Sequence, residues 1–193
     1  MPTLIVPFRG QGAKRRLEEA PGGAETRTAL AQAMLEDVVA ACRDVGRTIV
    51  VTPDPLGLAV ETLPDPGRGQ GAAVAAALAT LAEEPVLVVN ADLPCATPRD
   101  LLALLGAVPP EGLALVAAED GTTNALALSS PTVFEPVYGP GSAERFRRLA
   151  PASVADIPNL AADVDTIWDL VRLRDRVGPS TRAVLDSTPL AVG

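Results

Sequence analysis

Residues 85–94 read "PVLVVNADLP". Val86 to Val89 offer no polar position to water, so this run predicts a strand covered on both faces and central in its sheet. Asn90 ends the apolar run, and Asp92 stands where the chain leaves the core. In open parallel sheets ligands gather just beyond the carboxyl ends of the strands. Asp92 is therefore either a ligand-facing carboxylate suited to magnesium or an ordinary turn aspartate ahead of the next helix. That helix is announced by "TPRDLLALL", with Thr97 as N-cap and Pro98 at the first helical position.

Outward from this strand, apolar runs alternate with helical periodicity. Thr3–Phe8 predicts a first strand, and Glu25–Arg43 an amphipathic helix with Leu30, Met34, Val38 and Ala41 on its inner face. Arg47–Thr52 is a β-branched second strand stopped by Pro53, and Leu58–Leu63 a third. "GRGQGAAVAAALATLAEE", residues 67–84, is a glycine turn entering an alanine-rich helix. Leu113–Ala117 and Ala125–Ser129 predict further strands; "GSAERFRRLA" and "DTIWDLVRLRDRV" predict helices. The alternation implies an α/β fold: one domain over residues 1–178, a mixed, mostly parallel sheet flanked by helices, and a loose C-terminal tail over 179–193.

Composition narrows the function. The 193 residues are 48% hydrophobic but only 3% aromatic, so the core is built from Leu, Val and Ala. A net charge of −8 argues against a nucleic-acid-binding surface. No apolar run approaches the roughly 20 residues that span a bilayer, and no charged-then-apolar leader opens the chain. Two cysteines, Cys42 and Cys95, make no disulfide framework, and a reducing cytoplasm is expected. There is no histidine, which excludes Ser–His and Cys–His nucleophiles and the usual histidine zinc site. Any metal must be held by oxygen, which points to magnesium or manganese.

The strand ends carry the remaining signals. "IVPFRGQGAKRRL", residues 5–17, places two glycines and then Lys14, Arg15 and Arg16 after the first strand. It is not a Walker A loop, because Ala13 precedes the lysine and Arg15 follows it. Arg15 also occupies the third glycine of a dinucleotide fingerprint. The loop is a phosphate cradle or a solvated basic turn; Lys14, the only lysine of a chain that otherwise uses arginine, favours the cradle. "ADVDTIWDL", residues 162–170, puts Asp163 and Asp165 on one side of an extended stretch. One or both would meet Asp92 across a shared divalent ion, unless Asp165 caps the helix behind it. "DGTTNAL", residues 120–126, is rich in hydroxyls and amides. "YGPGS", residues 138–142, opens a helix with Gly139, Gly141 and Ser142, an anion-binding arrangement. Arg145, Arg147 and Arg148 behind it hold phosphate or form a solvated face. In "PGRGQGAA", residues 66–73, Gly69, Gln70 and Gly71 either admit a flat base against the backbone or form a plain loop.

Taken together, "PFRGQGAKRRL", "ETRTALAQAMLEDVV", "ADLP", "GTTNAL", "YGPGSAERF" and "ADVDT" resemble, in order and spacing, the 2-phospho-L-lactate/phosphoenolpyruvate guanylyltransferases of deazaflavin coenzyme (factor 420) biosynthesis. The resemblance covers roughly residues 3 to 178. It implies a nucleotide-diphospho-sugar transferase-like, Rossmann-like fold, shared with the molybdopterin guanylyltransferases. It implies a reaction in which GTP and a small phosphoacid give a GDP-linked diester and pyrophosphate. The acid is phosphoenolpyruvate, 2-phospholactate or 3-phosphoglycerate, and the product is handed to the next enzyme. It places Lys14 and Arg16 at the GTP phosphates, and Asp92 with Asp165, then Asp163, on Mg2+ or Mn2+. Gly69 to Ala73 fall near guanine, and Thr123, Gly139 and Ser142 on the phosphoacid. The chain departs from the family pattern at Arg9, usually Lys, at Arg15, usually Ser, and at Gln70–Gly71, usually Leu–Asn. The threonine stretch is one glycine short, so Thr122 or Asn124 are alternatives to Thr123. Molybdopterin and sugar-phosphate enzymes carry a Gly–Gly pair that "RGQGAK" lacks. A non-catalytic domain of the same fold would be expected to lose the strand-end carboxylates, and an NAD-dependent oxidoreductase fails on glycine spacing.

Overall fold

The computed structural model describes residues 1–10 and 23–188. Lys14 and Arg16 therefore lie outside the described residues. Among the described residues one sheet forms from β1 (Thr3–Pro7), β2 (Arg47–Thr52), β3 (Glu61–Pro64), β4 (Val86–Val89), β5 (Leu113–Ala117), β6 (Thr123–Leu128) and β7 (Ala152–Val154). Its order is β3-β2-β1-β4-β6-β5-β7. All neighbouring pairs are parallel except those of β6, which runs antiparallel to β4 and β5. The helices are α1 (Gly23–Arg43), α2 (Gln70–Leu78), α3 (Pro98–Gly106), α4 (Ser142–Arg147), α5 (Pro158–Ala161), α6 (Ile167–Leu173) and α7 (Pro179–Ser187).

Strand alternation sends neighbouring side chains to opposite faces. Leu4 and Val6 of β1, with Leu87 and Val89 of β4, pack against Leu35 and Val38 of α1 and Leu101 and Leu104 of α3. Ile5, Val86 and Val88 face the other way, against Val74 and Ala77 of α2 and Phe146 of α4. β4 is buried on both faces, as its unbroken apolar run requires. From β1 the chain adds β2 and β3 on one side, then crosses to lay β4 on the other. The carboxyl ends of β1 and β4 thus flank the switch point where such sheets open a cleft.

Two expectations are corrected. The third strand is Glu61–Pro64, later than Leu58–Leu63. Residues from 179 onward do not begin a loose tail: Pro179–Ser187 is helix α7, with Thr181 and Leu185 buried. α7 closes a third core with Leu30 and Met34 of α1, Cys95, Val164, and Ile167, Leu170 and Leu173 of α6. The helix is mostly polar, and its place is decided by tertiary contacts.

Candidate active site

At the switch point a cavity of about 520 Å³ is lined by Phe8, Arg9 and Gly10 after β1, Asn90 to Asp92 after β4, and Asp163 and Asp165 ahead of α6. The segments bearing the carboxylates are tied together directly: Val164 N donates to the Asp92 carbonyl at 3.0 Å. Asp92, Asp163 and Asp165, distant in sequence, share one cavity wall. Thr97 is the N-cap expected of it, and the cap alternative for Asp165 fails. Thr97 caps α3 in a capping box with Asp100, and Thr166, not Asp165, caps α6 in a box with Asp169. Neither cap uses the Asp92 or Asp165 carboxylate.

The Asp163 carboxyl is perturbed by its surroundings. Burial pushes its pKa up, a hydrogen bond from Asn124 opposes that, and the charges of Asp92 and Asp165 push it further up. Asn124 is itself buried on β6 and splits its amide between Asp163 Oδ1 at 3.2 Å and the Ala161 carbonyl at 3.3 Å. Asn90, also on the cavity lining, ties two further segments together. Its Oδ1 accepts from Gln70 Nε2 at 2.6 Å, and its Nδ2 donates to the Thr123 carbonyl at 3.2 Å. Asn90 and Asp65 line the cavity with no site role expected of them, and Asn124, an alternative to Thr123, lines it too. The legible signal was an amide at the end of one apolar strand and the start of another.

Gln70 lines the cavity, as does Thr122. Gly69, with φ 91, is the N-cap that launches α2 and so aims Gln70. Gly71 has a different duty from that expected: a Cβ there would stand 2.8 Å from that of Pro136, so its absence lets two chain segments pack. The structure does not bring Thr123 and Ser142 to the cavity wall. Both are buried, with their hydroxyls 3.1 Å apart in a mutual hydrogen bond. A register shift explains it: Ala125 pairs with Val116 but Thr123 with Ala117, so β6 carries an extra residue at Asn124, and Thr123 turns toward Ser142 while Asn124 turns toward Asp163. Gly139 also lies off the wall, in a loop whose Val137, Tyr138 and Pro140 carbonyls accept from Arg145. Arg147 and Arg148 pair with Glu144. None of these three arginines points a guanidinium into the cavity.

Gly10 is needed for two reasons. Its φ of +79 is left-handed, and a Cβ would overlap the Asp54 carboxylate. A second, more open cavity of about 690 Å³ shares Asp120, Asp163 and Asp165 and adds Arg172 and Arg176. The first cavity carries five aspartates and one arginine among the described residues. An anionic ligand there needs cations from elsewhere. No group of three or more metal-binding side chains forms a ready-made cage among the described residues. Magnesium does not require one: it takes one or two carboxylates and completes its shell with phosphate oxygens and water. The donor set, carboxylate oxygen without histidine or thiolate, fits a hard divalent cation.

An acidic cleft at the switch point of such a sheet is the place where a phosphate-bearing ligand and its divalent cation would sit. The fold recurs in a putative nucleotide-diphospho-sugar transferase from Desulfovibrio desulfuricans, at a TM-score of 0.75 with 17% identity over 96% of this chain and 94% of that one. It recurs in 2-C-methyl-D-erythritol 4-phosphate cytidylyltransferase from Thermus thermophilus, at 0.61 with 18% identity over 95% and 98%. The chain belongs to the MobA-like NTP transferase domain family, whose profile matches residues 26–161. It is 36% identical to phosphoenolpyruvate guanylyltransferase of Streptomyces scabiei over 94% of each chain. It is 38% identical to the protein of the same name from Conexibacter woesei, over 90% of this chain and 87% of that one. It is 34% identical to 2-phospho-L-lactate guanylyltransferase of Natrialba magadii, over 88% and 82%.

Proposed function

We propose that the cleft joins the guanylyl group of GTP to a small phosphorylated carboxylic acid and releases pyrophosphate. Phosphoenolpyruvate is the foremost acceptor, with 2-phospholactate and 3-phosphoglycerate as alternatives. The observation that carries the proposal is the convergence of Asp92 with Asp163 and Asp165 beside the β1 end, locked by the Val164–Asp92 backbone hydrogen bond. The names of the relatives supply guanine and the acceptor class.

Nucleotidyl transfer depends on positioning and charge neutralisation more than on acid–base side chains. The acceptor phosphate is already anionic near pH 7, so a chain without histidine loses nothing. Asp92 and Asp165, with Asp163 beside them, would hold Mg2+ or Mn2+. When bound, that ion supplies charge neutralisation at the phosphates and a template for in-line attack. Gln70 lines the cavity, and with its amide nitrogen committed to Asn90 it would offer its oxygen as an acceptor for a base N–H. Thr122 and Asn124 take the acceptor-side role expected of Thr123. Lys14 and Arg16 are proposed for the departing pyrophosphate on the sequence resemblance alone. The product, a phosphoanhydride-linked diester, is consumed by the next enzyme, which belongs with this one in the cytoplasm and in factor 420 biosynthesis. Among the described residues no helix is long and apolar enough to cross a membrane.

The test is incubation of purified protein with Mg2+, GTP and each acid in turn, with the product identified by mass. A GDP-linked diester is expected, with ATP and CTP poor donors. Asp92→Asn is expected to lower turnover by about 10³-fold, the scale of losing one major transition-state charge contact, with the fold retained by circular dichroism. Failure of all three acids with GTP, or undiminished turnover of Asp92→Asn, would overturn the assignment.

A further inference from the structure

The Asp92 segment is held at both ends by backbone hydrogen bonds. The Asp92 carbonyl accepts from Val164 N at 3.0 Å, and the Pro94 carbonyl accepts from Gly178 N at 2.8 Å. Gly178 is the N-cap of α7. The amides of Ser180 and Thr181, one turn in, donate to the two carboxylate oxygens of Asp37 on α1, each at 2.9 Å. Asp37 is 6% exposed. A buried charge is costly unless satisfied by hydrogen bonds, and here the first turn of α7 supplies both bonds and a favourable dipole. Gly178 has an ordinary φ of −66, so its identity is not a matter of backbone freedom. A Cβ at this position would overlap the Asp37 carboxylate, so only glycine lets the two segments close.

Neither Asp37 nor Gly178 lines either cavity containing the carboxylates. Their connection to the site is mechanical. A second path runs through the third core, where Val164, between Asp163 and Asp165, packs with Met34 of α1 and Leu185 of α7. Both paths end on α7, and Asp37 fixes the start of α7.

We propose that Asp37 is a positioning residue for the divalent-cation site. Held by Asp37, the N-terminus of α7 pins Gly178 against Pro94, and that sets the Asp92 backbone relative to Asp163 and Asp165. The inference rests on Asp92, Asp163 and Asp165 being the cation's carboxylates. Residues that orient ligands from outside their own shell typically change metal affinity 10–100-fold when lost.

The experiment compares full-length wild type with Asp37→Ala, Asp37→Asn and Gly178→Ala by amide hydrogen exchange and by Mn2+ binding in the presence of GTP. In Asp37→Ala and Gly178→Ala the Gly178 and Val164 amides should exchange at least tenfold faster, while β1 and β4 keep wild-type protection. Mn2+ affinity should fall about 10–100-fold, with KM for GTP changed less than threefold. Asp37→Asn, which keeps one carbonyl oxygen to accept an amide, should fall between. Wild-type protection at Val164 and Gly178 in Asp37→Ala overturns the proposal, and so does faster exchange with unaltered Mn2+ affinity. If Asp37→Ala does not fold, Asp37→Asn and Gly178→Ala decide by the same two measurements. Absence of guanylyl transfer by wild type would sink the proposed reaction and leave exchange and Mn2+ binding to decide the role of Asp37. Wild type that binds no Mn2+ would instead overturn the cation assignment, and the positioning role with it.

Discussion

At Asp163 the demands of the fold and of the site pull in opposite directions. Burial raises its pKa first, the Asn124 amide partly restores it, and Asp92 and Asp165 raise it again. A carboxyl whose folded pKa lies above its unfolded one binds more protons when folded, so stability falls as pH rises through that window. Above the window the full penalty remains. Above that window Asp163 therefore weakens the cation-free protein, and a bound cation relieves that weakness. Asp163→Asn removes the charge and keeps an oxygen for Asn124. Its melting temperature without divalent cation should exceed that of wild type at pH 7.5 by about 1–3 °C, and the advantage should vanish as pH falls toward the usual carboxylate range. Guanylyl transfer should drop at least tenfold in the same variant. A variant less stable than wild type at pH 7.5 would show that the repulsion is already compensated inside the protein.

At the scale of elements, α6 shows how a short helix is kept in place. It spans seven residues, too few to be stable alone. Thr166 Oγ1 accepts from Asp169 N at 3.3 Å, and Asp169 Oδ2 accepts from Thr166 N at 2.8 Å and from Asp165 N at 3.2 Å. Burial alone would raise the Asp169 pKa, but the Thr166 and Asp165 hydrogen bonds and the Arg172 charge more than offset it, and the net shift is downward. Its stabilisation is therefore present above the unfolded carboxylate pKa and lost as acid titrates the folded group. Thr166→Ala should cost about 1 kcal/mol, seen as a melting temperature lower by about 2–4 °C. An unchanged melting curve would mean that the third core alone fixes α6. Elements were legible where the local pattern sufficed. β4 announced itself by four apolar residues and α3 by "TPRD". "TIWD" carries the same box, yet the aspartate just before it competed for the cap. β7 has three residues, none fully buried, and left no pattern to find. The Thr123–Ser142 pairing depends on the register shift at Asn124 and on a contact between distant segments, and neither is written in a composition.

The whole molecule is a sheet with two covered faces and a third, smaller core bolted to one end by α7. That last piece was invisible as periodicity because its burial rests on few residues, Thr181 and Leu185 within the helix and Val177 just before it. Ending the chain after Gly178 tests whether this core is an accessory or part of the cooperative unit. Such a truncation removes Leu185, uncovers Leu30 and Met34, and strips the Ser180 and Thr181 amides from Asp37. Loss of a fully buried leucine alone costs about 2–5 kcal/mol, and Asp37 loses two hydrogen bonds to its charged group, about 1.5–3 kcal/mol each where buried. Against a typical domain stability of about 5–15 kcal/mol, the truncated chain should melt at least about 10 °C lower or fail to fold. The role of Asp37 should shrink with its partners: Asp37→Leu should clearly destabilise the full chain and the truncated chain by much less. A truncated protein that melts like wild type would show that the sheet and its two faces stand without the third core, and an equal Asp37→Leu penalty in both chains would show that the bonds from α7 carry none of the loss.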